Sequence, residues 1–310
     1  MSERRKGERD FLGTEQSPYS KGVMARALTA VGVREEQAYE LARRLESDLG
    51  QRNEVSVDLE RLQELAVDVL GESRGIRAAR QLRRFRGLQE LDLPVILLVG
   101  GGTGTGKSTV ATEVAYRLGI TRVTSTDFVR QTMRAFFAKE FMPSIHYSSF
   151  EAALGLSKAE EEESGDAALL GFLDQTRNVL TGVDAALQRA LDEGWSMVLE
   201  GVHLVPGMIA TDFRDAIVVH CVLAIRDEEI HRTHFWIRDE TSDGVRPSDR
   251  YLAGLPEIRS IQSYLVDRAV RHDVPVIENE SQSDAVDSVM NLVLEQAERV
   301  GQALARRGGQ

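Results

Sequence analysis

One cysteine, Cys221, stands in a sequence of 310 residues, so an internal disulfide framework and any zinc cluster built on cysteine are excluded. No apolar run approaches the roughly 20 residues needed to span a bilayer. The opening MSERRKGERD also lacks the apolar stretch of a secretory signal. These two absences lead us to expect a cytoplasmic protein with no membrane partner. Lysine is scarce too: of 38 basic residues only Lys6, Lys21, Lys107, Lys139 and Lys158 are lysine. A net charge of −11, with no aromatic ladder among the basic stretches beyond Phe85, argues against a nucleic-acid coat. What remains is an ordinary globular composition, 42% hydrophobic and 28% charged, which excludes wholesale disorder. At roughly 150 residues per domain, the length predicts about two domains.

Hydrophobic spacing divides the chain. Residues 1–16 are polar and read as a frayed tail. Three short amphipathic patterns follow over residues 17–70: Met24, Ala27, Leu28 and Val31; Leu41, Ala42, Leu45 and Leu49; and Leu59, Leu62, Leu65, Ala66 and Val69. None is long enough to hold alone, so they are expected to pack together as a small helical domain. Residues 71–92 carry Arg74, Arg77, Arg80, Arg83, Arg84 and Arg86 and read as a solvated helical linker, with an anion-binding face as the sharper alternative.

From residue 93 to 310 the pattern becomes strand–helix alternation, which predicts a parallel five-stranded sheet flanked by helices, an α/β architecture. The strand candidates are Val95–Val99, Arg122–Thr126, Met197–Glu200, Ile217–Ile225 and Val274–Ile277. Val95–Val99 is a continuous apolar run, as a strand buried on both faces requires. Residues 144–166 read as a polar insertion and 226–250 as a lid.

Chemistry first appears after the first of these strands. Gly101-Gly102-Thr103-Gly104-Thr105-Gly106-Lys107-Ser108 fits the phosphate-binding pattern G-x-x-x-x-G-K-[ST] in full, and Thr109 continues it into a helix. The glycines let backbone N–H groups approach phosphate oxygens, and the helix adds its positive end. Lys107 supplies a point charge for the β- and γ-phosphates and Ser108 a hydroxyl for Mg²⁺. The Lys-Ser ending favours a nucleoside triphosphate, ATP with Mg²⁺, over a dinucleotide.

A second substrate is suggested elsewhere. Ser125-Thr126-Asp127 ends a strand, on the side of an open parallel sheet where ligands bind. Asp127 could take a proton from an attacking hydroxyl or hold magnesium through water, and simple helix capping is compatible with both. Arg130 and Arg134, at helical spacing, could grip an anionic substrate. Glu200, ending another strand, could orient the magnesium-bound water, with Gly201 leaving room for ligand. His203 could contact substrate or be structural. The cluster Arg226, His231, Arg232, His234, Arg238, Arg246 and Arg250 fits a closing lid, with Arg232 or Arg238 brought to the transferring phosphoryl group.

Three further groups of residues complete a resemblance. Pro18-Tyr19-Ser20-Lys21-Gly22 opens the helical region, Leu199-Glu200-Gly201-Val202-His203 follows the third strand, and Ile258-Arg259-Ser260-Ile261-Gln262-Ser263-Tyr264-Leu265 lies near the end. With the glycine loop, Ser125-Thr126-Asp127, Arg130, His231-Arg232, Arg238 and Arg250-Tyr251, the chain from about residue 17 resembles the 2-phosphoglycerate kinase family. The resemblance implies a P-loop kinase that phosphorylates the 3-hydroxyl of 2-phosphoglycerate with ATP, and an ATP-cone-like nucleotide-sensing module at 17–70.

The expectation is therefore a small-molecule kinase with catalytic Lys107, Asp127, Arg232 and Arg238 and substrate contacts at Asp127, Arg130, Arg134 and His203. Metal contacts are expected at Ser108 and Glu200, and the partner is a small phosphorylated metabolite. Self-association into a homo-oligomer is left open. A kinase of another phosphorylated polyol or of a sugar or inositol phosphate would use the same core. A regulatory ATP-binding module would need neither the Asp127–Arg130–Arg134 apparatus nor the arginine-rich lid.

Overall fold

The computed structural model describes residues 10–157, 166–241 and 248–308, with side chains for all of these except 238–241 and 308. Two compact units emerge. The first comprises the described residues up to Leu93, Tyr116–Gly119 and the described residues from Met290 onward; the second comprises Pro94–Ala115 and Ile120–Val289.

The first unit opens with α1 (Lys21–Ala30), α2 (Glu35–Arg52), α3 (Leu59–Leu70) and α4 (Glu72–Glu90). The spaced apolar residues Met24, Leu28, Leu41, Leu45 and Leu62 are wholly buried, and α3 is started by Asp58, whose carboxylate accepts from the Arg61 N–H at 2.7 Å. Two stretches behave differently from the sequence reading. Phe11 and Leu12, inside the expected tail, are buried. The arginine-rich α4 packs along α3, because Gly75, Ala78, Ala79, Leu82, Phe85 and Leu88 line one of its faces. Its arginines pair within the unit, Arg84 with Glu298 at 2.7 Å and Arg86 with Asp10 at 3.0 Å. Lys21 pairs with Glu46 at 3.0 Å and lies over the Tyr39 ring.

In the second unit five parallel strands, β1 (Val95–Gly101), β2 (Val123–Ser125), β3 (Met197–Glu200), β4 (Ile217–Ala224) and β5 (Val276–Glu278), lie in the order β2-β3-β1-β4-β5. Every residue of β1, β3 and β4 is buried, which is why Val95–Val99 reads as an unbroken apolar run and the other two are apolar except at Glu200 and His220. α5 (Lys107–Arg117) follows β1, and α6 (Thr126–Phe136) follows β2. Two short 3-10 helices, Ser144–His146 and Ser149–Gly155, precede α7 (Ala167–Asp192). α8 (Glu228–Thr241), α9 (Ser248–Ala253) and α10 (Leu255–Arg271) come between β4 and β5, and α11 (Gln282–Gly308) closes the chain, crossing from the second unit into the first.

Two apolar layers hold the sheet. Ile96, Leu98, Met197, Leu199 and Val218 pack with Val179, Val183 and Leu187 of α7. Phe172, Val222 and Phe235 pack with Ile258, Ile261 and Leu265 of α10. Fully burying a side chain of this size stabilises by about 1.5–3 kcal/mol. Part of the expected insertion belongs to this core: Ile145 and Phe150 are buried, and the first 3-10 helices pack on α7. Residues 158–165 of that insertion, and 242–247 of the expected lid with Arg246, lie outside the described residues. No helix among the described residues is long and apolar enough to cross a membrane.

Candidate functional site

With β1 between β3 and β4, the loop after β1 opens at the carboxyl ends of the strands, where an open parallel sheet offers a crevice. A cavity of about 800 Å³ lies there. Along one end run Thr103, Gly104 and Gly106–Thr109 with Asn279, Glu280 and Gln282. Ser125–Asp127, Arg130 and Gln131 and Ser148–Phe150 line the rest, together with Glu200–Val202, His234, Ile237, Arg250 and Tyr251.

The glycine loop is held from outside by its own carbonyls. The Gly102 carbonyl accepts from Lys107 Nζ at 2.6 Å and Thr105 Oγ1 at 2.9 Å. Thr103 O accepts from His231 Nε2 at 2.7 Å, Gly104 O from His234 Nδ1 at 3.0 Å and Thr105 O from Asn279 Nδ2 at 2.8 Å. A trans peptide places the next N–H opposite each carbonyl, so outward carbonyls turn amide hydrogens toward the inside of the loop, as an anion cradle requires. Gly104 has φ +85, and a Cβ there would run into the Phe235 ring, so only glycine fits beneath α8. His231 stacks on Phe235 at 5.2 Å between ring centres, Phe235 on Tyr251 at 5.4 Å, and Tyr251 meets Phe150 at 5.6 Å. This aromatic run joins α8, α9 and the second 3-10 helix around the cavity.

Ser108 Oγ donates to Glu200 Oε1 at 2.9 Å, bringing a hydroxyl from α5 to a carboxylate at the end of β3. Two hard oxygen donors suit Mg²⁺, which takes one or two carboxylates and completes its shell with water and phosphate oxygens. Among the described residues no group of three or more His, Cys, Asp or Glu could hold a metal by itself, so a cation here would share its ligands with a bound phosphate.

Asp127 is not the cap of α6. Ser125 is, its Oγ accepting from the Phe128 N–H at 3.0 Å. Asp127 lines the cavity, and Arg130 fixes its Oδ1: Nε and Nη2 donate to it at 3.0 and 2.7 Å. Arg130 is itself buried, with Nη1 donating to Ile145 O and Tyr147 O, both at 2.8 Å. Four of its five donor hydrogens are committed this way, so its main office is to hold Asp127 and the 145–147 segment.

Arg134, Arg232 and His203 do not line the cavity. Arg134 pairs with Gln131 Oε1 at 3.0 Å on the exposed side of α6. Arg232 pairs with Glu228 at 2.8 Å along α8 and does not line the cavity. The side chain of Arg238 lies outside the described residues. His203 is 1% exposed, bonded through Nδ1 to Thr126 Oγ1 at 2.8 Å and through Nε2 to Gln175 Oε1 at 2.9 Å. Because Gln175 Nε2 donates to Ser144 O and Tyr147 O at 2.6 and 3.1 Å, its carbonyl must face His203. The imidazole hydrogen is then on Nε2 and the Thr126 hydroxyl donates to Nδ1. His203 is thus a buried brace between α6 and α7 and is not among the residues that line the cavity. Gly201 belongs to the same brace: at φ +153, a Cβ there would overlap Thr126 Oγ1, so its missing side chain makes room for Thr126. Gln262, from the stretch that carried part of the resemblance, ties down the end of β4 through both backbone groups of Ile225, at 2.9 and 3.1 Å.

Burial, and secondarily the Arg130 guanidinium, pushes His203 down to about 3, so it stays neutral in the folded chain. The unfolded state, at the ordinary 6.5, binds the proton first, so this contribution to stability is present above pH 6.5 and is lost as pH falls toward 3. Between pH 6.5 and 5 the loss comes to about 2 kcal/mol. Urea unfolding of the wild type and His203→Gln at pH 7 and pH 5 checks this: the variant is expected to lose less stability on acidification, and parallel losses would refute it.

The lining residues Ser148, Ser149, Phe150 and Asn279 carried no motif in the sequence reading; for Asn279 the available signal was its place directly after the last strand.

No family model matches the chain. Curated relatives do. A 2-phosphoglycerate kinase of Methanopyrus kandleri is 36% identical over 279 residues, covering 90% of this chain and 84% of the relative. One from Methanothermobacter thermautotrophicus is 38% identical over 274 residues, covering 88% and 89%. One from Pyrococcus furiosus is 35% identical over 288 residues, covering 93% and 92%.

Proposed function

The chain belongs to the 2-phosphoglycerate kinase family, and on that premise we propose that it transfers the γ-phosphoryl group of ATP to the 3-hydroxyl of 2-phosphoglycerate. The observation that carries this reading is the convergence of the glycine loop, Lys107, the Ser108–Glu200 pair and Asp127 on one cavity. The loop amides and Lys107 bind the β- and γ-phosphates. Ser108 and Glu200 would hold Mg²⁺, which supplies charge neutralisation to the phosphate oxygens when bound. Asp127, its Oδ1 pinned by Arg130, orients the acceptor hydroxyl and takes its proton. The hydroxyl oxygen bonds to the γ-phosphorus as the bond to the bridging oxygen breaks, giving 2,3-bisphosphoglycerate and ADP. Lys107 opposes the charge on the phosphoryl group in transit. Arg232 has no part in this reading, since it is engaged with Glu228 away from the cavity lining. The ATP-cone resemblance of residues 17–70 extends the proposal to a second, regulatory nucleotide contact in the helical unit.

ADP release with ATP and Mg²⁺ over a panel of phosphorylated hydroxy acids and polyols tests the reading. Stimulation by 2-phosphoglycerate above every other member is expected. Clear stimulation by another member without 2-phosphoglycerate would overturn the acceptor, and tight ATP binding with no stimulating acceptor would favour a regulatory module.

A further inference from the structure

A phosphorylated acceptor brings its own anionic group into the cavity, and that group needs a cation other than the one serving ATP. Among the described lining residues three side chains carry a full positive charge: Lys107, Arg130 and Arg250. Lys107 belongs to the glycine loop. Arg130 has spent four of five donor hydrogens on Asp127 Oδ1 and two backbone carbonyls. Arg250 is differently disposed. One edge of its guanidinium is taken by Glu151, with Nε donating to Oε1 at 2.9 Å and Nη2 donating to Oε2. Nη2 also donates to Ser148 Oγ at 3.0 Å. Nη1, with two hydrogens, has no hydrogen-bond partner among the described residues.

We propose that Arg250, with the hydroxyls of Ser148 and Ser149 beside it, is the receptor for the phosphate already carried by the acceptor. The inference rests on the kinase reading and adds to it the residue that selects a phosphorylated substrate. Three observations support it. The guanidinium is held in place before any ligand arrives: Glu151 grips it from one side, and the neighbouring Tyr251 is stacked between Phe235 and Phe150. A preset fork loses little freedom on meeting an anion and presents the paired N–H geometry that a phosphate accepts. Ser148 and Ser149 both line the cavity and add hydroxyls that can turn a hydrogen toward an oxygen ligand. The segment bearing them is also the one whose carbonyls at Ser144, Ile145 and Tyr147 are gripped by Gln175 and Arg130. The residue that fixes Asp127 therefore also fixes the approach to Arg250, which sets the proton acceptor and the phosphate receptor on one scaffold.

Steady-state kinetics of the full chain test the proposal through Arg250→Gln, Arg250→Lys and Glu151→Gln. Arg250→Gln is expected to raise the KM for 2-phosphoglycerate about 30-fold or more, with the KM for ATP moving less than about threefold, and Arg250→Lys is expected to recover part of the loss. Inorganic phosphate should inhibit the wild type competitively against the acceptor, and Arg250→Gln should weaken that inhibition in proportion. Glu151→Gln weakens the same link between α9 and the 3-10 helix, keeping one acceptor oxygen and the cation itself, so it is expected to lose far less. An unchanged acceptor KM in Arg250→Gln, a parallel rise in the KM for ATP, or equal losses in Arg250→Gln and Glu151→Gln would each overturn the subsite. If the wild type ignores 2-phosphoglycerate but uses another phosphorylated compound, the substrate reading fails alone and the same variants are compared on that compound. Turnover with unphosphorylated acceptors only would overturn the subsite as well.

Discussion

Replacing Lys107 by alanine is expected to lower acceptor-dependent ADP release by about 1000-fold or more while the chain stays folded. The residue stands at the start of α5, and its ammonium reaches back to the Gly102 carbonyl at 2.6 Å, inside the loop whose other carbonyls are taken by His231, His234 and Asn279. Those outer bonds do not involve Lys107, so the loop keeps its supports when the side chain is removed. What disappears is the compact positive charge aimed at the phosphates, beside a protein interior of lower dielectric where a charge acts more strongly than in bulk solvent. Arginine should not restore it, because a planar fork on a longer stem does not fit a position that calls for a point charge within the loop. The measurement pairs single-turnover kinetics with thermal unfolding. Activity within about tenfold of wild type, with an unchanged melting temperature, would detach the glycine loop from the chemistry.

Two kinds of information behave differently between the sequence and the structure. Strands buried on both faces advertise themselves as unbroken apolar runs, and the glycine loop advertises itself because its spacing is dictated by backbone contact with phosphate; both are legible along a few consecutive residues. Side-chain destinations are another matter. Helical spacing puts Arg130 and Arg134 near one another on α6, but it does not say which turn meets the core. Arg130 is drawn inward by the carbonyls of Ile145 and Tyr147, whereas Arg134, one turn on, is left with Gln131. The destination of His203 is decided by Gln175, which reaches it from a different helix and is itself committed to Ser144 and Tyr147. Residues 144–155 belong to the stretch 144–166 that reads as a polar insertion. Ile145 and Phe150 anchor them to the core instead, and their serines then line the cavity. Long-range partners of this sort leave no periodic trace.

These same partners explain how the second unit combines an open cavity with fixed chemistry. Around the cavity Glu200 holds Ser108, Arg130 holds Asp127, Glu151 holds Arg250, and His203 holds Thr126. Three of these pairings join a group at the cavity to a different element, and Arg130, on the same helix as Asp127, ties that helix to the 145–147 segment, so the geometry is set before a substrate enters. Preorganisation of this kind favours the transition state because the dipoles need not reorient during the reaction.

Asp127→Asn isolates the proton-transfer part of that arrangement. The amide has the size of the carboxylate, and its carbonyl can still accept from Arg130 Nε and Nη2, which now bond to Oδ1 at 3.0 and 2.7 Å. Ser125 continues to cap α6, so the helix start is not disturbed. The substitution therefore keeps the position and removes the basicity. If Asp127 takes the proton of the acceptor hydroxyl, kcat should fall about 100- to 10,000-fold, with the KM for ATP nearly unchanged because the phosphates are held by the loop. An effect on the KM for ATP with little change in kcat would instead place Asp127 at the metal shell, and a kcat within about threefold of wild type would make it a positioning partner of Arg130. Arg130→Met gives the complementary case: it removes the clamp on Asp127 and takes a donor from the carbonyls of Ile145 and Tyr147, of which Tyr147 keeps only Gln175, so stability should fall together with activity. A variant that loses chemistry while retaining its melting temperature is what distinguishes the proton acceptor from the residue that holds it.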